Sequence, residues 1–214
     1  MSRTMKSNLF ILSKHAYKYI AYAFGAFVLF SVVDFDFLAW AAFGFLLISL
    51  YLFRNPEKSL HVHEENAFLS PVDGKVVSIE EIEDAEYGYR ITIESAYLDV
   101  SLLRVPMDAK VVSCAIYRGT RLAKNAKLFT SLNENATLVL EDNVNHRVEI
   151  QHQLTRSFAP LFIDITEGEE LVKGSRYGLM LCGVTTLYLP KSFKVNIERA
   201  AQVSASETLI GYFL

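Results

Sequence analysis

Two unbroken apolar runs open the chain, and short alternating segments fill the rest. From Tyr19 to Val33, and again from Phe37 to Phe53, almost every position is apolar, with Asp34-Phe-Asp36 between the runs. Neither run has a polar face. Each approaches the roughly 17–25 residues that cross a bilayer once interfacial neighbours such as Ala16, Tyr17 and Trp40 are counted. The pattern predicts a transmembrane helical hairpin turning at residues 34–36. Lys6, Lys14 and Lys18 precede the first run, and Arg54 and Lys58 follow the second. Basic residues at both outer ends, with only acids in the turn, predict both termini on the cytoplasmic side of an inner (plasma) membrane. A cleaved signal peptide is not expected, because no small-residue cleavage pattern appears and a second apolar run follows at once. Arg54-Asn-Pro-Glu57 stops the second helix.

Beyond residue 67 the period changes. Short β-type runs cover Lys75–Ile82, Tyr89–Ser95, Val111–Tyr117, Thr137–Glu141, Arg147–Gln151, Leu161–Ile165, Leu179–Leu181, Thr185–Leu189, Phe193–Ile197 and Thr208–Phe213. Turn clusters such as Pro71-Val-Asp-Gly74 and Glu86-Tyr-Gly88 punctuate them. Residues 124–135 read as loop or short helix. The predicted organisation is an N-terminal segment (1–18), the hairpin (19–53), a linker (54–66) and a β-rich domain, all-β or α+β (67–214). Ser70–Val76 resembles the opening turn of carrier-like sandwiches. Residues 166–175 and 200–210 resemble the turn that follows in such folds, with Ser204 at the second copy's expected glycine.

Composition adds little. The 51% hydrophobic content and mean hydropathy of +0.22 reflect the N-terminal runs. A formal charge of -3 gives no pull towards nucleic acid, and no RNA-binding motif appears. Cys114 and Cys182 lie far apart and match neither a metal site nor a disulfide framework, which fits a reduced compartment. His61 and His63 form an H-x-H pair without a third ligand nearby, and no metal is expected.

The segments Phe53-Arg-Asn-Pro-Glu57, Leu69-Ser-Pro-Val-Asp-Gly-Lys-Val76, Asp99-Val-Ser-Leu-Leu-Arg-Val-Pro106, Leu132-Asn-Glu-Asn135, Glu167–Gly178 and Leu187-Tyr-Leu-Pro190 occur in a specific order. In that order they resemble the short membrane-anchored form of phosphatidylserine decarboxylase, a lyase of phospholipid biosynthesis. The resemblance implies a proenzyme whose own serine attacks the preceding carbonyl. Chain cleavage then leaves a pyruvoyl group that acts as an electron sink for decarboxylation of the lipid headgroup to phosphatidylethanolamine.

Carried over residue by residue, Asp73 matches the family's maturation base partner, although Asp-Gly is also an ordinary turn. The family's histidine position holds Ser101, which cannot shuttle protons near neutral pH as imidazole does. Arg104 is retained and is a candidate for bidentate binding of lipid phosphate or carboxylate. The late family segment runs roughly G-x-R-x-G-x-I-x-F-G-S-R-V-D-x-Y-L-P. Counted back from Tyr188-Leu-Pro190, the reactive serine position holds Gly183, and Cys182 precedes it. Glycine has no hydroxyl. A Cys182 thiol is one substitute nucleophile, and Thr185 or Thr186 would not yield pyruvoyl.

These residues imply a decarboxylase-related protein that is catalytically impaired or non-catalytic and carries no cofactor. It would bind membrane phospholipid, and also a partner enzyme of phospholipid synthesis or a second copy of itself. The alternative is an active pyruvoyl enzyme using Cys182. A further alternative is a membrane-tethered lipoyl-like binding module.

Overall fold

A computed structural model describes residues 12–58, 64–84 and 86–214. His61 and His63 lie outside the described residues. The described residues divide into two compact units, one ending at Glu57 and the other running from Lys58 to Leu214.

The first unit is a pair of helices, α1 (Tyr17–Val32) and α2 (Asp36–Leu52). Asp34 breaks the chain between them with φ 56°, a left-handed conformation that aspartate tolerates better than most side chains. The Phe27 and Phe43 rings meet across the pair. Two transmembrane spans were expected here, and the structure overturns them. No helix among the described residues is long and apolar enough to cross a membrane. At 16 and 17 residues, and 1.5 Å of rise per residue, the helices reach about 24–26 Å against a hydrocarbon core of about 30 Å. The predicted inner-membrane placement with cytoplasmic termini falls with the spans.

The second unit is β-rich. In chain order its strands are β1 (Ala67–Leu69), β2 (Gly74–Glu81), β3 (Tyr87–Ser95), β4 (Leu102–Arg104), β5 (Ala109–Tyr117), β6 (Asn135–Glu141), β7 (Arg147–Leu154), β8 (Phe162–Ile163), β9 (Glu170–Leu171), β10 (Arg176–Leu179), β11 (Gly183–Pro190), β12 (Phe193–Val195), β13 (Gln202–Val203) and β14 (Leu209–Phe213). One helical turn, α3 (Phe129–Leu132), lies within the segment read as loop or short helix. Eight strands form one antiparallel sheet in the order β13-β2-β3-β11-β7-β6-β5-β9. Two three-stranded sheets, β1-β14-β12 and β4-β10-β8, complete the unit.

Strict alternation in β6 and β7 buries one face of the large sheet. Leu138, Leu140, Val148, Ile150, Ile91, Ile93, Leu187 and Leu189 form that face and join the core with Phe68, Phe193 and Phe213. The last three rings meet edge to face at 5.2–6.0 Å.

The unit is internally duplicated. Pro71-Val-Asp-Gly-Lys-Val-Val-Ser78 recurs as Pro106-Met-Asp-Ala-Lys-Val-Val-Ser113. The copies exchange backbone bonds reciprocally: Leu69 N–H donates to Pro106 O at 3.0 Å, and Arg104 N–H donates to Pro71 O at 2.9 Å. Each copy opens a strand with a bulge at the equivalent place, Val76/Ser78 in β2 and Val111/Ser113 in β5. Each strand exchanges bonds with a following turn, Val76 with Ala200 and Ala201, Val111 with Gly168 and Glu169. Residues 166–175 and 200–210, likened in sequence to one another, therefore occupy matching places at opposite ends of the large sheet. The left-handed positions are Gly168 and Gly174 in one turn, Ala200 and Ser206 in the other. The expected glycine thus corresponds to Ser206 and not to Ser204.

Candidate active site

The Ser70–Gly74 turn delivers Asp73 to the start of β2. Its side chain is half-buried, and its Oδ1 accepts two hydrogen bonds. Lys58 Nζ donates to Asp73 Oδ1 at 2.5 Å, and Ala205 N–H donates to the same oxygen at 2.8 Å. Glu207 Oε2 lies 3.8 Å from the Lys58 ammonium. The Asp73 carbonyl accepts a bond of 2.5 Å from Ser95 Oγ. Gly74 has no alternative here, because a Cβ would press against the Glu94 carbonyl of β3.

Ser95 ends β3 and is the register partner of Gly183, the first residue of β11. Gly183 also pairs with Leu154 of β7, so it is held on both sides. Its phase matches Thr185, Leu187 and Leu189, whose side chains are buried. A side chain at 183 would therefore point into the core, where there is no room for one. A Cβ would sit 2.5 Å from Met180 Sδ and 2.6 Å from the backbone oxygen of Gln153. Met180 N–H donates to Ser101 O at 2.8 Å. The positions that the resemblance assigns, Asp73, Ser101 and Gly183, are linked by contacts through Ser95 on one side and Met180 on the other.

Arg104 meets the Ser70–Gly74 turn through its backbone, donating its N–H to Pro71 O at 2.9 Å. It is buried in β4, paired in register with Arg176, and one of its guanidinium nitrogens donates to Gly174 O at 3.1 Å. Cys182 is half-buried, with Sγ 3.1 Å from Thr155 Oγ1. Thr155 N–H donates to the Cys182 carbonyl at 3.0 Å. That donor sits on the carbonyl a residue-183 nucleophile would attack. A Cys182 thiol would instead attack the carbonyl of Leu181.

Sequence reasoning missed a buried polar cluster two register positions from Gly183. His152 of β7 pairs with Thr185 of β11. Its Nδ1 lies 2.8 Å from Thr185 Oγ1 and its Nε2 2.6 Å from the Tyr177 hydroxyl. Burial pushes the imidazole down to about 3, so it is neutral near pH 7, and pushes the Tyr177 phenol well above its ordinary value. Both ring nitrogens are occupied, so the cluster reads as a satisfied core network. The signal was present in the sequence: His152 and Thr185 fall on the apolar phase of their strands. Among the described residues no group of three or more His, Cys, Asp or Glu could hold a metal ion.

Residues 45–211 match the family model described as phosphatidylserine decarboxylase. The chain belongs to the phosphatidylserine decarboxylase family. It is 28% identical over 181 residues to a phosphatidylserine decarboxylase proenzyme of Geobacter metallireducens, covering 83% of each chain. It is 26% identical over 204 residues to one of Burkholderia pseudomallei, covering 94% of each. With one of Ehrlichia chaffeensis it shares 25% over 172 residues, 78% of this chain and 76% of the relative.

A serine-derived pyruvoyl group does not fit the residues present. Position 183 offers no side-chain oxygen, and the space such a side chain would need holds the Met180 thioether and a β7 carbonyl. Counted forward from Gly174 instead of back from Pro190, the family's serine falls on Val184, which also lacks a hydroxyl.

Proposed function

We propose that this chain is a phosphatidylserine decarboxylase-related protein of phospholipid biosynthesis that keeps the family scaffold without the self-processing step. It acts as a non-catalytic relative, binding phospholipid headgroups or an enzyme that makes or uses them. The observation that supports this most directly is the packing at Gly183, where neither a nucleophile nor room for one exists. Two further features agree. One carboxylate oxygen of Asp73 holds Lys58 and Ala205 N–H, and Ser101 stands where the resemblance expects an imidazole. The Cys182 route is disfavoured because the hydrogen-bond donor at this segment serves the Cys182 carbonyl rather than that of Leu181.

Intact mass of the purified full chain tests the reading. The expected result is a single species of 24.2 kDa and no carbon dioxide release from phosphatidylserine vesicles. A C-terminal fragment of ~30 residues with a ketone at its N-terminus, the outcome of serine- or cysteine-type self-cleavage, would refute it.

A further inference from the structure

The chain carries a net charge of -3, yet between Arg118 and Asn133 it has four cations, Arg118, Arg121, Lys124 and Lys127, and no acid. This loop does not stand alone. Arg121 Nη1 donates to the carbonyls of Ser157 and Phe158, each at 3.1 Å, which joins the loop to the 155–158 turn. Tyr97 Oη donates to Arg156 O at 2.5 Å, and its ring stacks on Phe158 with centroids 6.5 Å apart. The 96–98 turn, the 155–158 turn and the basic loop therefore make one continuous patch.

Its charges are only partly compensated. Buried Glu134 takes Arg118 and Arg121, and Glu94 takes Lys124. Lys127 and Arg156 are exposed and have no carboxylate partner among the described residues. Among these cations stand large apolar side chains turned to solvent. Leu98 is 71% and Leu128 54% exposed, and Phe158, stacked on Tyr97, is also partly open to solvent.

Cations interleaved with exposed aliphatic and aromatic side chains match the two layers of an anionic lipid surface, phosphate outside and acyl chains beneath. A nucleic acid or an acidic protein would meet the charges but leave the leucines unused. The patch also borders the family's reactive segment, since Thr155, next to Arg156, holds the Cys182 carbonyl.

We infer that the 96–98 turn, the 118–128 loop and the 155–158 turn form the face by which this domain docks onto anionic phospholipid. The inference rests on the proposed reading above in taking a lipid as the partner. It requires no helix that crosses a bilayer.

The test uses the full chain with phosphatidylglycerol–phosphatidylcholine vesicles against pure phosphatidylcholine, read by co-sedimentation. Phosphatidylglycerol carries no serine, so docking is measured independently of any decarboxylase-related chemistry. The variant Lys127→Glu with Arg156→Glu is compared with the charge-matched pair Lys191→Glu with Lys194→Glu, both exposed elsewhere on the unit. Wild type and the second pair should bind the anionic vesicles, less so as salt rises. The first pair should bind at least tenfold more weakly, since each basic residue near such a surface contributes on the order of fivefold. Equal loss in both pairs, no loss in the first, equal binding to pure phosphatidylcholine, or a preference for a single-stranded oligonucleotide would each overturn the inference.

Discussion

Restoring a serine at position 183 should destabilise the protein without restoring chemistry. In Gly183→Ser the new Cβ would meet two atoms, Met180 Sδ at 2.5 Å and Gln153 O at 2.6 Å. The thioether is the end of a flexible side chain and can swing away at modest cost. The carbonyl cannot, because β7 is paired to β11 on one side and β6 on the other. An ordinary contact begins near 3.4 Å, roughly 0.8 Å more, so a central strand must move or the serine must sit strained. Overpacking of this kind costs about 1–3 kcal/mol, and a rigid backbone contact places the substitution near the upper end. Urea unfolding followed by far-UV circular dichroism measures the difference, and intact mass reads cleavage in the same sample. Introduced into a Met180→Ala background and compared with Met180→Ala alone, the same serine should cost less, by the part owed to the thioether. A Gly183→Ser protein as stable as wild type would refute the packing argument. One that also cleaved itself would show that the site is intact apart from one atom group.

Two further outcomes follow from the same geometry. His152 has an ordinary value near 6.5 when unfolded and is pushed to about 3 by burial when folded. Because its folded value is depressed, the unfolded chain binds the extra proton, so stability falls as pH drops from about 6.5 towards 3. The loss should be ~2 kcal/mol by pH 5. In His152→Gln this part of the pH dependence should vanish, and an unchanged profile would mean that the ring is not neutral and enclosed. Asp73→Ala and Asp108→Ala should each cost about 1.5–3 kcal/mol, the scale for bonds to a charged acceptor. If only Asp108→Ala lowers the unfolding midpoint, Asp73 is not a turn clamp.

Much of the scaffold was legible in alternation. The strands β2, β3, β5, β6 and β7, together with β11, β12 and β14, lie where period-two runs bounded by turn residues put them, shifted at their ends by a few residues. The strands β1, β4, β9 and β13 escaped because two or three residues cannot display a period, and β1 and β4 are buried throughout. The apolar runs marked the two helices, but apolarity does not fix helix length. The left-handed Asp34 and the stop after Leu52 set that, and they leave helices short of a bilayer. At the site, resemblance brought Asp73, Ser101 and Gly183 together. What fills the space at 183 depends on cross-strand neighbours, which no local pattern reveals. The burial of Arg104 in β4 and its bond to the Gly174 carbonyl could not be read from its charge.

The duplication bears on what Asp73 does. Asp108 occupies the same place in the second copy of the motif, and no reactive position of the family falls there. Asp108 Oδ1 nevertheless accepts Lys173 N–H at 2.8 Å, as Asp73 Oδ1 accepts Ala205 N–H at 2.8 Å. The turns they hold also match, since Gly174 N–H donates to Val105 O and Ser206 N–H donates to Ser70 O. A bond made identically where no chemistry is expected is a requirement of the turn. The copies differ at the next register step beyond that turn. Asp73's strand leads to Ser95 beside Gly183, whereas Asp108's leads past Glu141 to Asp142, which binds His146 at 2.8 Å. Whatever distinguishes the first half as a site must therefore come from the β3–β11 end and the residues around Gly183, since the aspartate clamp is common to both halves.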